Sequence, residues 1–176
     1  MPFDIVTISP TVSSGAHAVG DVMFNPTAAV LPARKCKLLN VFMEVASGGG
    51  EDDTKIGVLF FGNNAAALGT LNATANISAA DFTSNEYQGQ LQLGLTDGGN
   101  LDLDGIDNVA LYYSTNAFST ANGTRGGQGQ MDMVVKGSAP SRSKSETTVY
   151  VGAIIHSGTP NLDGTDNVKL HLHVEY

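Results

Sequence analysis

The feature that most constrains the fold is a regular alternation of apolar and polar side chains along short segments. In residues 168–175 every second side chain is apolar, and in residues 87–95 leucines alternate with glutamines. Successive side chains of a β-strand point to opposite faces, so this period predicts strands with one buried and one solvated face. Residues 55–61 are apolar at almost every position, which predicts a strand covered on both faces at the centre of the core.

Other segments are rich in β-branched and aromatic residues, which favours strands. Together the segments give about nine predicted strands, at residues 3–8, 21–24, 38–45, 55–61, 87–95, 109–113, 131–135, 148–155 and 168–175. Gly- and Asp-rich stretches separate them, and only residues 78–82 suggest a helix, a short turn capped by Ser78. This pattern predicts an all-β fold, a sandwich or a barrel, and we expect an antiparallel, jelly-roll-like β-sandwich with one short helical turn.

The length of 176 residues suits a single domain with one core. We expect residues 1–20 to form an N-terminal arm that orders on docking, and residues 21–176 to form the sandwich. The first residues lack a basic and apolar leader, and no run approaches the roughly 18 apolar residues of a membrane span. We therefore expect synthesis in the host cytoplasm and no membrane partner.

The chain is acidic, with 9 Lys and Arg residues against 17 Asp and Glu and a formal net charge of −8. This balance disfavours a nucleic-acid partner, because affinity for phosphates comes mainly from cationic side chains. Arg34, Lys35 and Lys37 nevertheless stand close together, and such a local excess can orient docking onto a negative partner. The alternative is the solvated start of a strand. Cys36 is then either a thiol made reactive by these cations or, as we prefer, an ordinary strand-entry residue.

A nine-residue motif occurs twice in the chain. Residues 103–111 (LDGIDNVAL) recur as residues 162–170 (LDGTDNVKL), with seven of nine positions identical. Asp and Asn oxygens around a Gly turn are ligands that Ca²⁺ accepts, so five carboxylates are calcium candidates: Asp102, Asp104, Asp107, Asp163 and Asp166. The EF-hand spacing is missing, so the preferred interpretation is a tight turn in which Asp and Asn bond to nearby backbone N–H groups.

His171, His173 and Glu175 share one face of the last predicted strand. Alternate strand residues converge from one side, so these three are possible metal ligands, although a solvated polar face is the preferred interpretation. The sequence lacks the motifs of a nucleophile elbow, a zinc protease, a phosphate loop and a dinucleotide-binding fold. We therefore predict a protein that is not an enzyme and that needs no cofactor.

Six short motifs follow one another along most of the chain. They are AVGDV at residues 18–22, VLFFGNN at 58–64, LGT at 68–70, ISAADF at 77–82, VYVGAII at 149–155 and LHLHVEY at 170–176. In this order they resemble a family of small virion proteins of tailed bacteriophages. The resemblance implies a β-sandwich without catalytic residues and a structural role on the virion. The chain departs from the family at an extended loop, residues 116–129.

This resemblance makes a capsid decoration or cement protein the leading functional hypothesis. We expect a homotrimer that binds the major capsid protein on the outer surface of the virion and stabilises the assembled shell. The docking candidates are Arg34, Lys35 and Lys37. The alternative is another virion component, such as a head fibre, a tail part, or a receptor- or carbohydrate-binding tip. Carbohydrate binding is the weaker option because the chain has no Trp and only 5 Tyr.

Overall fold

The computed structural model describes residues 2–46, 54–94, 109–114, 133–137, 147–162 and 168–176. In chain order its elements are β1 (Phe3–Ile8), β2 (Gly15–Ala16), β3 (Val22–Leu31), β4 (Lys35–Ala46), β5 (Lys55–Phe61), α1 (Ala79–Ser84), β6 (Tyr87–Gly94), β7 (Val109–Ser114), β8 (Val134–Lys136), β9 (Thr147–Ser157), β10 (Asn161–Leu162) and β11 (Val168–Glu175). Each of the nine predicted strands has its counterpart here. The predicted all-β fold class is therefore confirmed.

Two details of the strands differ from the prediction. β3 does not end at Phe24 but continues to Leu31, because a shift in its pairing with β9 accommodates Asn25 and Pro26. In β4, simple alternation predicts that Leu39 points inward. A shift in the pairing with β11 instead turns Leu38 into the core and leaves Leu39 half-buried.

The long strands form one antiparallel sheet in the order β1-β11-β4-β7-β6-β5-β9-β3, with β8 paired to the start of β4. When the short strands are left aside, the first strand lies beside the last and the second beside the second-last. This nesting of Greek keys is the jelly-roll topology. The end strands β1 and β3 come close together, so the sheet curls into two facing halves. We call β1, β11, β4 and β7 sheet I, and β6, β5, β9 and β3 sheet II.

The main core lies between the inner faces of the two sheets. Sheet I contributes alternate residues of β11 and β4, and sheet II contributes Phe24, Val58 and Phe60, all inaccessible to solvent. Each large apolar side chain buried in this way stabilises the fold by about 1.5–3 kcal/mol. β5 is covered on both faces, as predicted, because Leu59 and Phe61 point away from this core into a second apolar cluster.

The second cluster lies on the outer face of sheet II. It is covered by the long connection between β5 and β6, residues 62–86, which includes α1 and which we call the covering segment. Leu68, Ile77 and Phe82 of this segment pack against Phe61 and Val22 of the sheet. Ser78 accepts a hydrogen bond from the Asp81 backbone N–H, which confirms the predicted helix cap.

Two asparagine side chains hold the covering segment in place. Asn85 accepts from the backbone N–H groups of Ala65 and Ala66, at 2.8 and 2.9 Å, and donates to the Ala66 carbonyl at 2.8 Å. Asn25 of β3 accepts from Leu68 N–H at 2.7 Å and donates to the Gly69 carbonyl at 2.9 Å. Each side-chain amide therefore satisfies backbone N–H and C=O groups that, in a β-strand, would bond to a neighbouring strand.

The described part of the N-terminal segment, residues 2–20, packs on the domain. β1 pairs residue for residue with β11, and β2 pairs with β10. Ile8 and Val12 join the main core, and His17 is buried with its Nε2 atom 3.0 Å from the Ser13 carbonyl oxygen. The segment predicted as an arm thus contributes an edge strand and core residues.

Candidate functional site

The predicted basic residues lie at one end of sheet I. Arg34 stands in the bend before β4, and Lys35 is the first residue of that strand. The β4–β8 pairing sets Lys35 directly opposite Lys136 and Lys37 opposite Val134. We call Arg34, Lys35, Lys37 and Lys136 the basic end. Because like charges on opposite strand positions repel, the Lys35–Lys136 pair costs stability.

β8 is fixed at this position by contacts on both sides. The Gln88 side chain accepts from the Lys136 backbone N–H at 2.8 Å and donates to the Lys136 carbonyl. Val135 points inward and is completely buried with Cys36, whereas Lys136 is exposed. The sequence did not indicate Lys136 as part of this group, because it lies about 100 residues after Arg34, Lys35 and Lys37 and joins them only through strand pairing.

Cys36 is a core residue in this structure. Its side chain is buried, and its Sγ atom lies 3.5 Å from the Ala33 carbonyl oxygen. Burial raises the pKa of the Cys36 thiol, and the hydrogen bond to Ala33 offsets this only in part. Cys36 is the second residue of β4 and is buried, which confirms the preferred interpretation of a strand-entry residue. A raised pKa is also the opposite of what a reactive thiolate requires.

The outer face of sheet I carries the predicted histidines in rows that run across the strands. One row joins Thr7, His171 and Phe42, and the next joins Ile5, His173 and Asn40. Two further rows hold Lys169 beside Glu44, and Phe3, Glu175 and Lys37 together. The inward neighbours of these residues on β11 are fully buried, so the predicted alternation of this strand is confirmed.

The two histidines pack on the ring of Phe42. His171 stacks on it with ring centroids 4.4 Å apart, and His173 meets it edge-on at 5.3 Å. The Nδ1 atom of His171 lies 2.9 Å from Thr7 Oγ1, and its Nε2 atom lies 3.3 Å from Glu44 Oε1 in poor hydrogen-bond alignment. Glu44 also forms a surface ion pair with Lys169 at 3.6 Å.

These contacts bear on the alternative of a metal site at His171, His173 and Glu175. Within the ranges that the structure describes, no three His, Cys, Asp or Glu side chains converge closely enough to hold a metal ion. The histidines lie against Phe42, and Glu175 stands in register with Lys37. This part of sheet I is therefore a mixed aromatic and charged surface.

The calcium candidates lie outside the described residues. Asp102, Asp104 and Asp107 fall in the gap between β6 and β7, and Asp163 and Asp166 fall between β10 and β11. The turn and calcium interpretations of the repeated motif both stay predictions.

The fold and its surfaces define a jelly-roll protein with two candidate docking regions on sheet I, the basic end and the outer face. A scan against protein-family models finds no match, and no curated protein matches the chain in sequence. None of the helical structure in the described ranges is long and apolar enough to cross a membrane.

Proposed function

We propose that the chain is a structural component of a tailed-bacteriophage virion, a decoration or cement protein that docks on the outer surface of the capsid. The observation that carries the proposal is the basic end, which gathers four of the nine cationic residues of a chain with a net charge of −8. The jelly roll supports it by analogy alone, since this fold is common in viral capsid proteins but also serves lectins and enzymes.

The basic end suits docking because of its charge and its support. Arg34, Lys35 and Lys136 are exposed, while Cys36 and Val135 between them are anchored in the core. A negatively charged partner attracts this cationic edge and repels the rest of the acidic protein. The protein therefore approaches such a partner with this edge first. An acidic rim where shell subunits meet is the partner surface that fits this arrangement.

Stabilisation of the shell follows from selective binding. A junction between neighbouring capsid subunits exists only after assembly, so a protein that binds the junction favours the assembled state by mass action. Repetition of the contact over one particle multiplies the effect. In this role the chain needs a stable scaffold and a docking edge.

The test uses capsids of the phage that encodes the chain, stripped of the chain and mixed with purified protein. In one variant Lys35→Gln and Lys136→Gln are combined, and the control is Lys55→Glu, an exposed lysine on sheet II with the same total charge change. We expect the double variant to bind about tenfold more weakly and with a smaller salt dependence, and the control to bind like the wild type.

Two results would contradict the proposal. One is equal binding by the wild type and the double variant. The other is a virion gel that shows only a few copies of the chain per particle, which would instead favour the alternative of a head fibre or tail part.

A further inference from the structure

Among the described residues, apolar side chains on the two outer faces of the jelly roll are buried to different extents. On sheet II the covering segment packs Leu68, Ile77 and Phe82 over the apolar side chains. On sheet I, large apolar residues stay exposed to solvent: Phe3 keeps 77% and Ile5 keeps 52% of its surface accessible. An exposed apolar patch with charged neighbours on a sheet face is typical of a protein interface.

The charges at the two ends of this face form a reciprocal pattern. At one end Lys169 of β11 stands beside Glu44 of β4, and at the other end Glu175 of β11 stands beside Lys37 of β4. Along the chain, each strand carries its lysine before its glutamate. Because β11 and β4 are antiparallel, the lysine of each strand lies beside the glutamate of the other. These two lysines and two glutamates balance, although the chain as a whole has a net charge of −8.

This pattern is complementary to itself. When a second copy is turned end over end about a two-fold axis that crosses the strands, Lys169 of one copy faces Glu175 of the other. The same rotation sets Glu44 against Lys37. We propose that the outer face of sheet I binds a second copy of this chain in this way and forms a two-fold symmetric dimer. In such an interface the same patch serves both subunits, so it must be self-complementary.

The composition of the face fits this arrangement. Phe42 with His171 and His173 forms a half-buried aromatic cluster at its centre, and the charged pairs lie at its ends. The rotation also lays β1 against the β1 of the partner, which covers Phe3 and Ile5. An aromatic and apolar centre with a charged rim is the usual anatomy of a stable interface.

A second copy fits the charges better than a partner that binds the basic end. An acidic partner would be attracted by unbalanced cations such as Lys35 and Lys136, whereas the four charges of the β11–β4 ladder balance one another. Identical faces meet without repulsion only where their charges are balanced and correctly ordered, and both conditions hold for the four charges of this ladder.

The test is a charge-swap experiment on the purified chain, read by light scattering during size-exclusion chromatography and by sedimentation equilibrium. The wild type is expected to have the mass of a dimer. Lys169→Glu and Glu175→Lys each place like charges across the interface twice, and each is expected to raise the dimer Kd about tenfold. The double variant Lys169→Glu/Glu175→Lys is expected to return it to within about threefold of the wild type.

The rescue is diagnostic because the two residues cannot meet within one chain. They stand six positions apart on β11, so their Cα atoms are separated by about 20 Å. Lys55→Glu on sheet II serves as the control and should leave the Kd unchanged, and far-ultraviolet spectra verify that every variant is folded.

Three results would overturn the inference: a monomeric wild type, a double variant no tighter than the single variants, or a trimeric mass, which would instead support the homotrimer expected from the sequence resemblance. All of these measurements use the chain alone. Their outcome is therefore independent of capsid binding, which is tested at Lys35 and Lys136.

Discussion

The covering segment depends on the side chain of Asn85, and Asn85→Ala tests this dependence. Asn85 is completely buried, and its amide makes three hydrogen bonds to the backbone of Ala65 and Ala66. Alanine keeps the backbone bonds that Asn85 forms with Asp81 and Asn63, so the substitution removes the side-chain clamp alone.

The expected loss follows from the number of bonds and from what replaces them. A hydrogen bond of this kind contributes about 1 kcal/mol, so three bonds set an upper value of about 3 kcal/mol. Ala65 is exposed and Ala66 half-buried, so water satisfies part of what is lost. We expect the free energy of unfolding to fall by about 2 kcal/mol, which corresponds to a drop in Tm of about 4–8 °C in a domain of this size.

Urea unfolding measures the free energy, and calorimetry measures Tm. Asn64→Ala is the matched control, since Asn64 is an exposed asparagine in the same segment. The variant should also be cut faster by protease within residues 62–86, because the second apolar cluster loses its cover. A loss below about 0.5 kcal/mol, the usual range of a surface substitution, would refute the role assigned to Asn85.

Two further predictions concern alkaline pH and a glycine. Burial raises the pKa of the Cys36 thiol above its ordinary value, and partial burial raises the pKa of the Tyr87 hydroxyl. The folded state therefore holds these protons more tightly, so stability is complete below about pH 9 and declines as pH rises further. Urea melts of Cys36→Ala and Tyr87→Phe should each show a shallower decline, and unchanged slopes would contradict this assignment. Gly158→Ala should destabilise by about 3 kcal/mol in the same assay, because Gly158 has φ of 80° and a Cβ would lie 2.7 Å from Thr54 Cα. A loss below about 0.5 kcal/mol would contradict it.

The strands were predictable because their signal is local. A half-buried strand must alternate, so residues 168–175 revealed both their conformation and their inward face. Burial on both sides of Lys55–Phe61 could also be read from its composition. Irregularities were not predictable, since the shift that turns Leu38 inward depends on the partner strand, which the sequence of β4 does not specify.

Long-range pairing explains what the sequence did not reveal about the surfaces. Local charge density identified Arg34, Lys35 and Lys37, but Lys136 joins them only through the β4–β8 ladder. Residues 1–20 resemble a mobile arm because they are rich in small and polar residues. Their packing depends on contacts with β11 and β10, distant strands that no local pattern indicates.

The two proposals are geometrically compatible, and this follows from the direction of β4. The basic end lies at the start of the strand, whereas Phe42, at the centre of the outer face, lies several residues further along. A two-fold axis across the strands reverses one copy relative to the other, so the two basic ends of the proposed dimer lie at opposite poles. Lys37 lies at the margin of the dimer contact, and Arg34, Lys35 and Lys136 lie beyond its last facing pair, Glu44 and Lys37. One dimer can then dock at two separate acidic surfaces, and the second contact benefits from the high effective concentration that the first provides.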